Sequence, residues 1–181
     1  MVAKLIAALI ESYHLDIVDY NQLKLKMQEF FILLEQNEKN KKREKSPIQD
    51  YASELADRYE QSLREFCSYR EKTFEKLQKR AYEEKKVQNQ ACYAIGIDSF
   101  EIDCFKMYLS ENVYNELISV TDLLREKMAY ILVMDKDLIH KLSQNLEELK
   151  LDIHRMESVK KTRNAYSNKV NYEAIYIDRS K

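Results

Sequence analysis

The sequence predicts an all-α fold: an elongated antiparallel three-helix bundle or coiled coil, with a short helix between the second and third long helices. The 181 residues include one glycine and one proline, whereas sandwiches, barrels and doubly wound sheets use such residues at their turns. Apolar residues also recur at spacings of three and four over three long segments, as they do on one face of a helix. The scarcity of glycine further excludes enzymes that cradle phosphates in glycine-rich loops.

The charge balance bears on the partners of the protein. Thirty basic and 31 acidic residues give a net charge of −1, and nucleic-acid binding normally requires a basic surplus. No stretch approaches the roughly 20 apolar residues of a membrane span, and the start of the chain lacks the pattern of a secretory signal. Three cysteines without a CxxC pair indicate reduced thiols. We therefore expect a cytoplasmic protein without nucleic-acid partners or stable membrane insertion; a homodimer is compatible with the sequence.

The first long helix is predicted over residues 4–40. Its inward face combines a main stripe with residues that widen it toward a second neighbour. The main stripe is Ile6, Ile10, Tyr13, Ile17, Tyr20, Met27, Phe31 and Leu34, and the widening residues are Leu9, Leu23 and Phe30. The run Lys39–Lys45 has no apolar residue and is predicted to be a solvated linker.

The second helix is predicted over residues 47–94. Ser46 and Pro47 suit a helix start, and Gln49 is placed to reach back to the cap. The expected inward face is Leu55, Tyr59, Leu63, Phe66, Phe74, Leu77 and Ala81, with Arg70 interrupting it.

The connection to the third helix has its own signals. Gly96 fits a left-handed cap at the end of the second helix. The segment from Asp98 to Glu101 predicts a capping box that opens a short helix to about Leu109.

The third helix is predicted over residues 110–163 and carries a heptad seam. The seam runs through Leu117, Thr121, Leu124, Met128, Ile131, Asp135, Leu138 and Leu142 and continues through Leu146, Leu149, Ile153 and Met156. Burial is expected for Leu124, Met128, Ile131, Leu138, Leu142 and Leu149, and Asp135 is expected to weaken or hydrate the seam. Residues 1–163 are thus predicted to form the helical bundle. Residues 164–181 lose the heptad but keep tyrosine and β-branched residues, which predicts a C-terminal docking tail.

Two histidine motifs bear on metal chemistry. Glu11-Ser-Tyr-His14 has the Glu-x-x-His spacing of di-iron helical bundles, and Asp137-Leu-Ile-His140 is its aspartate analogue. Glu11 falls on the more polar side of its helix, and a complete site needs carboxylates from two further helices, so ordinary surface histidines are the preferred interpretation. None of the cysteines has a histidine nearby in sequence to act as its base. We expect no enzyme activity and no catalytic, cofactor-binding or metal-binding residues.

The stretch from Gln90 to Met156 resembles the FlgN family of flagellar (type III) export chaperones. The family pattern has a long helix that ends near an alanine-rich turn, a capped segment, and a final amphipathic helix with a polar residue and an aliphatic pair. These parts correspond to Ala91-Cys-Tyr-Ala-Ile-Gly96-Ile97, Asp98-Ser-Phe-Glu101, Leu109 through Leu132, and Asp135-Lys-Asp-Leu138-Ile139. The family usually has asparagine where Asp135 stands. The tail from Ala165 to Arg179 is also similar to C-termini of the family.

The resemblance implies a three-helix cytoplasmic chaperone without catalytic activity. Such a protein binds the terminal helices of hook-associated (hook–filament junction) proteins and delivers them to the membrane export gate and its ATPase complex. The family has a tyrosine just after the last helix that is implicated in gate docking, and Tyr166 matches it by position. Ser167 follows here, where the family often has glycine.

We expect cargo to add to the third helix beside its own seam. The expected partner-binding residues are Tyr114, Ile118, Leu132, Ile139 and Leu146, together with Tyr166 for the gate. The 13 tyrosines suit protein-binding surfaces and half-buried helix positions equally well. Two other classes stay open: a coiled-coil stalk, ATPase-associated component or other helical adaptor of an export apparatus, and a metal-binding bundle enzyme.

Overall fold

A computed structural model describes residues 1–43 and 49–177, with side chains described for residues 1–36, 58–148, 150–151 and 153–162. The elements in these ranges are α1 (Val2–Arg43), α2 (Gln49–Ile95), a 3₁₀ helix (Ile102–Tyr108) and α3 (Glu111–Ile177). The described part of the chain contains no strand. These elements confirm the predicted all-α bundle and its short helix between the second and third long helices.

The chain divides into two units, Met1–Met134 and Asp135–Lys181. Within the first unit, α2 runs antiparallel to α1, because residue numbers fall along α2 as the numbers of their partners rise along α1. The pairs that show this direction are Tyr13–Gln88, Asp19–Lys76 and Phe30–Phe66.

The beginning of α3 runs parallel to α1 in the same unit. His14 Nε2 lies 3.6 Å from a carboxylate oxygen of Glu116. Further along both helices, Lys24 Nζ of α1 lies 4.5 Å from the centre of the Tyr130 ring of α3. The first unit is therefore an up-down-up bundle of three helices.

The buried face of α1 is the predicted one. Its buried members are Ile6, Leu9, Ile10, Tyr13, Ile17, Leu23, Met27, Phe30 and Leu34, and Tyr20 and Phe31 are half-buried. The helix extends through Arg43, so the prediction of a linker is wrong for residues 39–43, and Glu44 and Lys45 lie outside the described residues. Lysine, arginine and glutamate have high helix propensity, and a run without glycine or proline has no residue that ends the helix.

The buried face of α2 includes polar residues that the prediction did not. Phe66 and Leu77 are buried as predicted, but Ala81 is exposed, and Thr73 and Glu84 are buried. The prediction followed apolar residues only, so it passed over the polar residues that occupy buried heptad positions of α2. Among the remaining predicted residues, Tyr59, Leu63, Arg70 and Phe74 are half-buried. The side chain of Leu55 and the predicted helix start at Ser46 and Pro47 lie outside the described residues.

The end of α2 is capped as the glycine predicts. Gly96 has a φ of 77°, in the left-handed region that favours glycine. The N–H of Gly96 donates to the carbonyl of Tyr93 (3.3 Å), and the N–H of Ile97 donates to the carbonyl of Cys92 (3.1 Å). These two bonds form a Schellman motif and satisfy carbonyls at the helix end.

The predicted capping box does not form. The short helix is a 3₁₀ helix that begins at Ile102, and its cap residue Glu101 makes no side-chain cap bond. Instead, Ser99 Oγ donates to Glu101 Oε1 (3.1 Å). Packing explains the difference, because Phe105 is fully buried and its ring centre lies 4.9 Å from that of Phe100.

The buried stripe of α3 recurs at intervals of seven, through Leu117, Leu124, Ile131 and Leu138. The expectation that Met128 is buried is wrong, because 42% of it is exposed, and Val120 is buried on the other side of the stripe. The buried face is thus rotated about the helix axis from the predicted seam. Leu142 is half-buried, and the Leu149 side chain lies outside the described part. The helix continues beyond the predicted end at residue 163 to Ile177.

One end of the first unit holds a compact apolar core. It joins the start of α1, the end of α2, the 3₁₀ helix and the start of α3. Its buried members include Ile6, Leu9, Ala91, Cys92, Phe105 and Leu117. This core fixes the connection between α2 and α3 and therefore the position at which α3 begins.

Candidate partner-binding surface

The predicted partner-binding residues fall into three environments. Tyr114 and Ile118 are half-buried in the first unit, and Leu132 is exposed there. Ile139 and Leu146 are exposed in the second unit. The Tyr166 side chain lies outside the described part.

Tyr114 has a structural contact of its own. Its hydroxyl donates to Asp103 Oδ1 (2.8 Å), and Lys106 Nζ lies 5.8 Å from its ring centre. The hydrogen bond to Asp103 raises the pKa of the Tyr114 hydroxyl. These contacts attach the 3₁₀ helix to the beginning of α3, so Tyr114 holds the connection as well as lying on the predicted face.

The second unit has an exposed apolar stripe, which we call the α3 stripe: Ile139, Leu146, Ile153 and Met156. About half of each of the first three side chains and 68% of Met156 are exposed. The stripe follows a heptad spacing of seven, seven and three and covers about 26 Å of helix at 1.5 Å per residue. Lys150 forms an ion pair with Glu147 (3.1 Å), and His154 Nδ1 lies 3.8 Å from a carboxylate oxygen of Glu157, so the stripe is bordered by polar and charged side chains, with both signs of charge present at Lys150 and Glu147.

A second exposed stripe lies on α1 and was not predicted as a site. We call it the α1 stripe: Leu15, Val18, Leu25 and Ile32, each at least 50% exposed. Its spacing of three, seven and seven is a heptad spacing on the side of α1 opposite the buried face. That spacing is the sequence signal that reveals it, provided that apolar residues off the main stripe are examined as well.

A polar cluster lies between α1 and α2 in the middle of the first unit. Arg80 bridges two aspartates, with its Nε bonded to Asp16 Oδ1 and its Nη2 bonded to Asp19 Oδ2. Lys76 Nζ donates to Asp19 Oδ1 (2.9 Å). At the other end, Ser12 Oγ donates to Glu84 Oε1 (2.6 Å). The polar cluster, defined by these residues, was missed because charged residues were assigned to solvated faces.

The acids of the polar cluster differ in the direction of their pKa shifts: the pKa values of Glu84 and Asp16 are raised, and that of Asp19 is lowered. Burial raises the pKa of Glu84, and the nearby Asp16 raises it further against the hydrogen bond from Ser12. Burial also raises the pKa of Asp16, although Arg80 opposes it. Asp19 behaves differently: burial acts to raise its pKa, but the hydrogen bonds from Lys76 and Arg80 outweigh burial and leave it lowered.

A mixed polar groove of about 800 Å³ opens beside the polar cluster. It is lined by α1, α2, the 97–103 connection and α3, and Glu84, Gln88 and Arg125 are among its walls. The hydroxyl oxygen of Thr121, also in this wall, is buried without a hydrogen-bond partner among the described residues.

Among the side chains that the structure describes, no group of three or more histidine, cysteine, aspartate or glutamate residues is arranged to hold a metal ion. His14 pairs with Glu116, and His140 lies 3.0 Å from the Gln144 amide. In the residues that the structure describes, no helix has an apolar stretch long enough to span a bilayer.

Comparison with known proteins adds no relative: no family model, no curated protein and no solved structure matches this chain.

Proposed function

We propose that this chain is a cytoplasmic export chaperone of the FlgN type. It binds amphipathic, disorder-prone terminal helices of hook-associated proteins, prevents their premature assembly, and delivers them to the export gate and its ATPase complex. It acts by binding and carries out no catalysis.

The α3 stripe is the observation that carries the proposal. Among the described side chains of residues 139–159, six large apolar ones are exposed: Ile139, Leu146, Leu151, Ile153, Met156 and Val159. Side chains of a single helix point outward in all directions, so the helix cannot bury them by itself. Exposed apolar area of this kind favours association with a complementary surface.

The spacing of the α3 stripe indicates the kind of partner. Residues repeating at three and seven present knobs and holes that match the side chains of another helix. An amphipathic helix laid along such a stripe buries its own apolar face in return. Terminal helices of export cargo fit this description because they are amphipathic and disordered until bound, and ordering them lowers the net affinity.

The middle of the chain favours a bundle over the stalk alternative. A two-helix stalk hairpin needs no third helix and no packed 3₁₀ helix, whereas here Phe105 of the 3₁₀ helix is fully buried in the core. The role of Tyr166 in gate docking rests on the family resemblance alone.

Co-purification from the organism that encodes the chain tests the proposal. The tagged full chain is compared with a stripe variant, Ile139→Gln with Leu146→Gln, and with Leu25→Gln, a matched change on the equally exposed α1 stripe. Mass spectrometry should recover hook-associated proteins with the wild type and Leu25→Gln, and lose them with the stripe variant. Tyr166→Ala should keep the cargo and lose export-gate components.

Two outcomes would contradict the proposal. Recovery of export-ATPase components without any hook-associated protein would favour the stalk or adaptor alternative. A wild-type dimer in sedimentation that the stripe variant abolishes, with no cargo recovered, would mean that a second copy covers the α3 stripe.

A further inference from the structure

The polar cluster between α1 and α2 contains more acid than base. Asp16, Asp19 and Glu84 are all more than 90% buried. Arg80 is the cation enclosed with them, whereas the Lys76 side chain is 59% exposed. Two neighbouring carboxyls shielded from water rarely both ionise, because a like charge and lost hydration each penalise the charged form. One of the three acids is therefore a candidate to retain its proton.

The hydrogen bonds identify which acids share that proton. Asp19 accepts hydrogen bonds from both Lys76 and Arg80, and these two cations balance its negative charge. Arg80 donates to Asp16, and Ser12, one turn before Asp16 on α1, donates to Glu84, one turn after Arg80 on α2. The two buried carboxyls therefore lie in the same α1–α2 contact, where two carboxyl groups can bond to each other only if one of them keeps its proton. Among the described residues, Glu84 accepts from the neutral hydroxyl of Ser12 and Asp16 from a cation, so the proton belongs on Glu84 and Asp16 accepts it.

We propose that the Asp16–Glu84 pair is a proton-binding site that links the packing of α2 on α1 to pH. With one proton shared, the pair is a hydrogen bond that joins the two helices. With both carboxyls charged, the pair becomes a buried repulsion at the same point, and the α1–α2 contact loosens. This inference is independent of the proposed chaperone function.

Ionisable groups from each packed element lie near the pair or along the groove that Glu84 borders. Asp19 of α1 and Arg80 of α2 act on Asp16, Lys76 of α2 binds Asp19, and Tyr13 and Tyr20 of α1 interact with both acids of the pair. The groove itself is lined by Lys85 of α2, Arg125 of α3, and Asp98, Glu101 and Asp103 of the connection. Arg80 is the cation in direct contact with the pair, and it is shared with Asp19. Its charge is therefore insufficient to neutralise three ionised carboxyls.

Protons have a route to the pair. Glu84 forms part of the wall of the polar groove, so water in the groove reaches a carboxyl that is otherwise enclosed. A buried acid with a hydrated edge equilibrates with solvent without global unfolding. The device can therefore respond to pH in the folded protein.

The direction of the pH effect follows from linkage. The pair binds its proton more tightly in the folded than in the unfolded chain, so the folded state holds more protons between the ordinary carboxyl range and the raised pKa. Stability therefore falls as pH rises through that window and is flat below it. Each pKa unit by which the pair is raised changes the folded-to-unfolded ratio by up to about tenfold.

Carboxyl ¹³C NMR on the full wild-type chain tests the proposal directly. We expect one carboxyl carbon of the pair, that of Glu84, to titrate with a midpoint clearly above the ordinary value for glutamate. Ordinary midpoints for both Asp16 and Glu84 would overturn the proposal. This measurement requires no variant to fold.

A matched pair of variants tests the consequence. Glu84→Gln keeps a side-chain amide that donates to Asp16 but removes the titrating proton, whereas Glu83→Gln changes a neighbouring exposed glutamate paired with Lys86 (3.0 Å). As pH rises above the ordinary carboxyl range, the urea midpoint should fall in the wild type and in Glu83→Gln. In Glu84→Gln this pH dependence should shrink. An unchanged pH dependence in Glu84→Gln would overturn the link between the pair and helix packing.

Discussion

Phe30 of α1 stacks face to face on Phe66 of α2, with ring centres 4.7 Å apart and ring planes within 2° of parallel. Both rings are more than 90% buried. This contact holds the two helices together on the side of the polar cluster away from the α2–α3 connection. It is the main aromatic contact between α1 and α2 in the described residues, and Tyr59 extends it with a ring centre 6.4 Å from that of Phe30.

Removing one ring of this stack should destabilise the bundle. Phe66→Ala deletes a buried aromatic side chain and leaves a cavity, so we expect the free energy of unfolding to fall by about 3 kcal/mol or more. Urea denaturation measures the change. Tyr93→Ala, at a site that is 89% exposed, serves as the control and should cost less than about 0.5 kcal/mol. Equal costs for the two variants would contradict the packing described.

The rotated buried face of α3 gives a second prediction. Ile131 is 2% exposed and Met128 is 42% exposed, although the heptad seam includes both. Ile131→Ala should therefore cost about 2–4 kcal/mol, and Met128→Ala about 1 kcal/mol or less. A larger loss for Met128→Ala, measured by urea denaturation, would show that the seam predicted from sequence is the buried one.

The ion pairs of Asp19 predict a pH-dependent loss of stability. The pKa of Asp19 is lowered in the folded state, so its stabilisation is present above about 3.8, the usual aspartate value, and is lost as pH falls below it. Asp19→Asn should reduce the free energy of unfolding by about 2 kcal/mol at pH 7. The difference from wild type should shrink as pH falls below that value, because protonation of Asp19 removes the charge that Lys76 and Arg80 bind.

A surface carboxylate provides the control for Asp19. Asp122 is exposed and lies 3.5 Å from Arg125 on the same helix. Such exposed pairs contribute little, so Asp122→Asn should change the free energy of unfolding by less than about 0.5 kcal/mol at either pH. A deficit of Asp19→Asn that stays constant from pH 7 to pH 3 would show that the ion pairs are not its source.

The cap of α2 gives a prediction about backbone strain alone. A Cβ added at Gly96 would meet no atom within 4 Å, so a substitution there meets no steric obstacle. The φ of 77° still disfavours alanine, and Gly96→Ala should cost about 1 kcal/mol. Gly96→Asn should cost less, because asparagine tolerates the left-handed region better. Thermal unfolding of both variants measures these costs. A Gly96→Ala variant as stable as the wild type would contradict the left-handed conformation of residue 96.

The parts of the fold that follow from local pattern were predictable from sequence. The buried face of α1 was predicted because its apolar spacing is regular, and the left-handed Gly96 was predicted because few other residues accept that conformation. The capping box at Asp98 failed because burial of Phe105 outweighs a local cap.

The polar cluster could not be predicted for a different reason. Asp16 and Glu84 can be recognised as neighbours only when the register between α1 and α2 is known. The sequence pattern of either helix does not give that register. The same limitation applies to Met128, because a heptad specifies a stripe but leaves the exact direction of the buried face to the neighbouring helices.

One part of the candidate surface was predictable from the sequence, and another part was not. Leu132, Ile139 and Leu146 were expected beside the seam of the third helix, and each is more than half exposed. Tyr114 was expected with them, but its hydroxyl bonds to Asp103, a contact that only the folded 3₁₀ helix creates.

Calorimetric titration of the full chain with the C-terminal segment of a hook-associated protein from the same organism tests the central claim most directly. We expect a dissociation constant between about 1 nM and 10 μM with a negative heat-capacity change, since apolar area is buried as the segment folds. Ile139→Gln with Leu146→Gln should weaken binding at least about tenfold, while Leu25→Gln should leave it unchanged and circular dichroism should show equal helix content. No detectable binding to the folded wild type at about 100 μM segment would contradict the account.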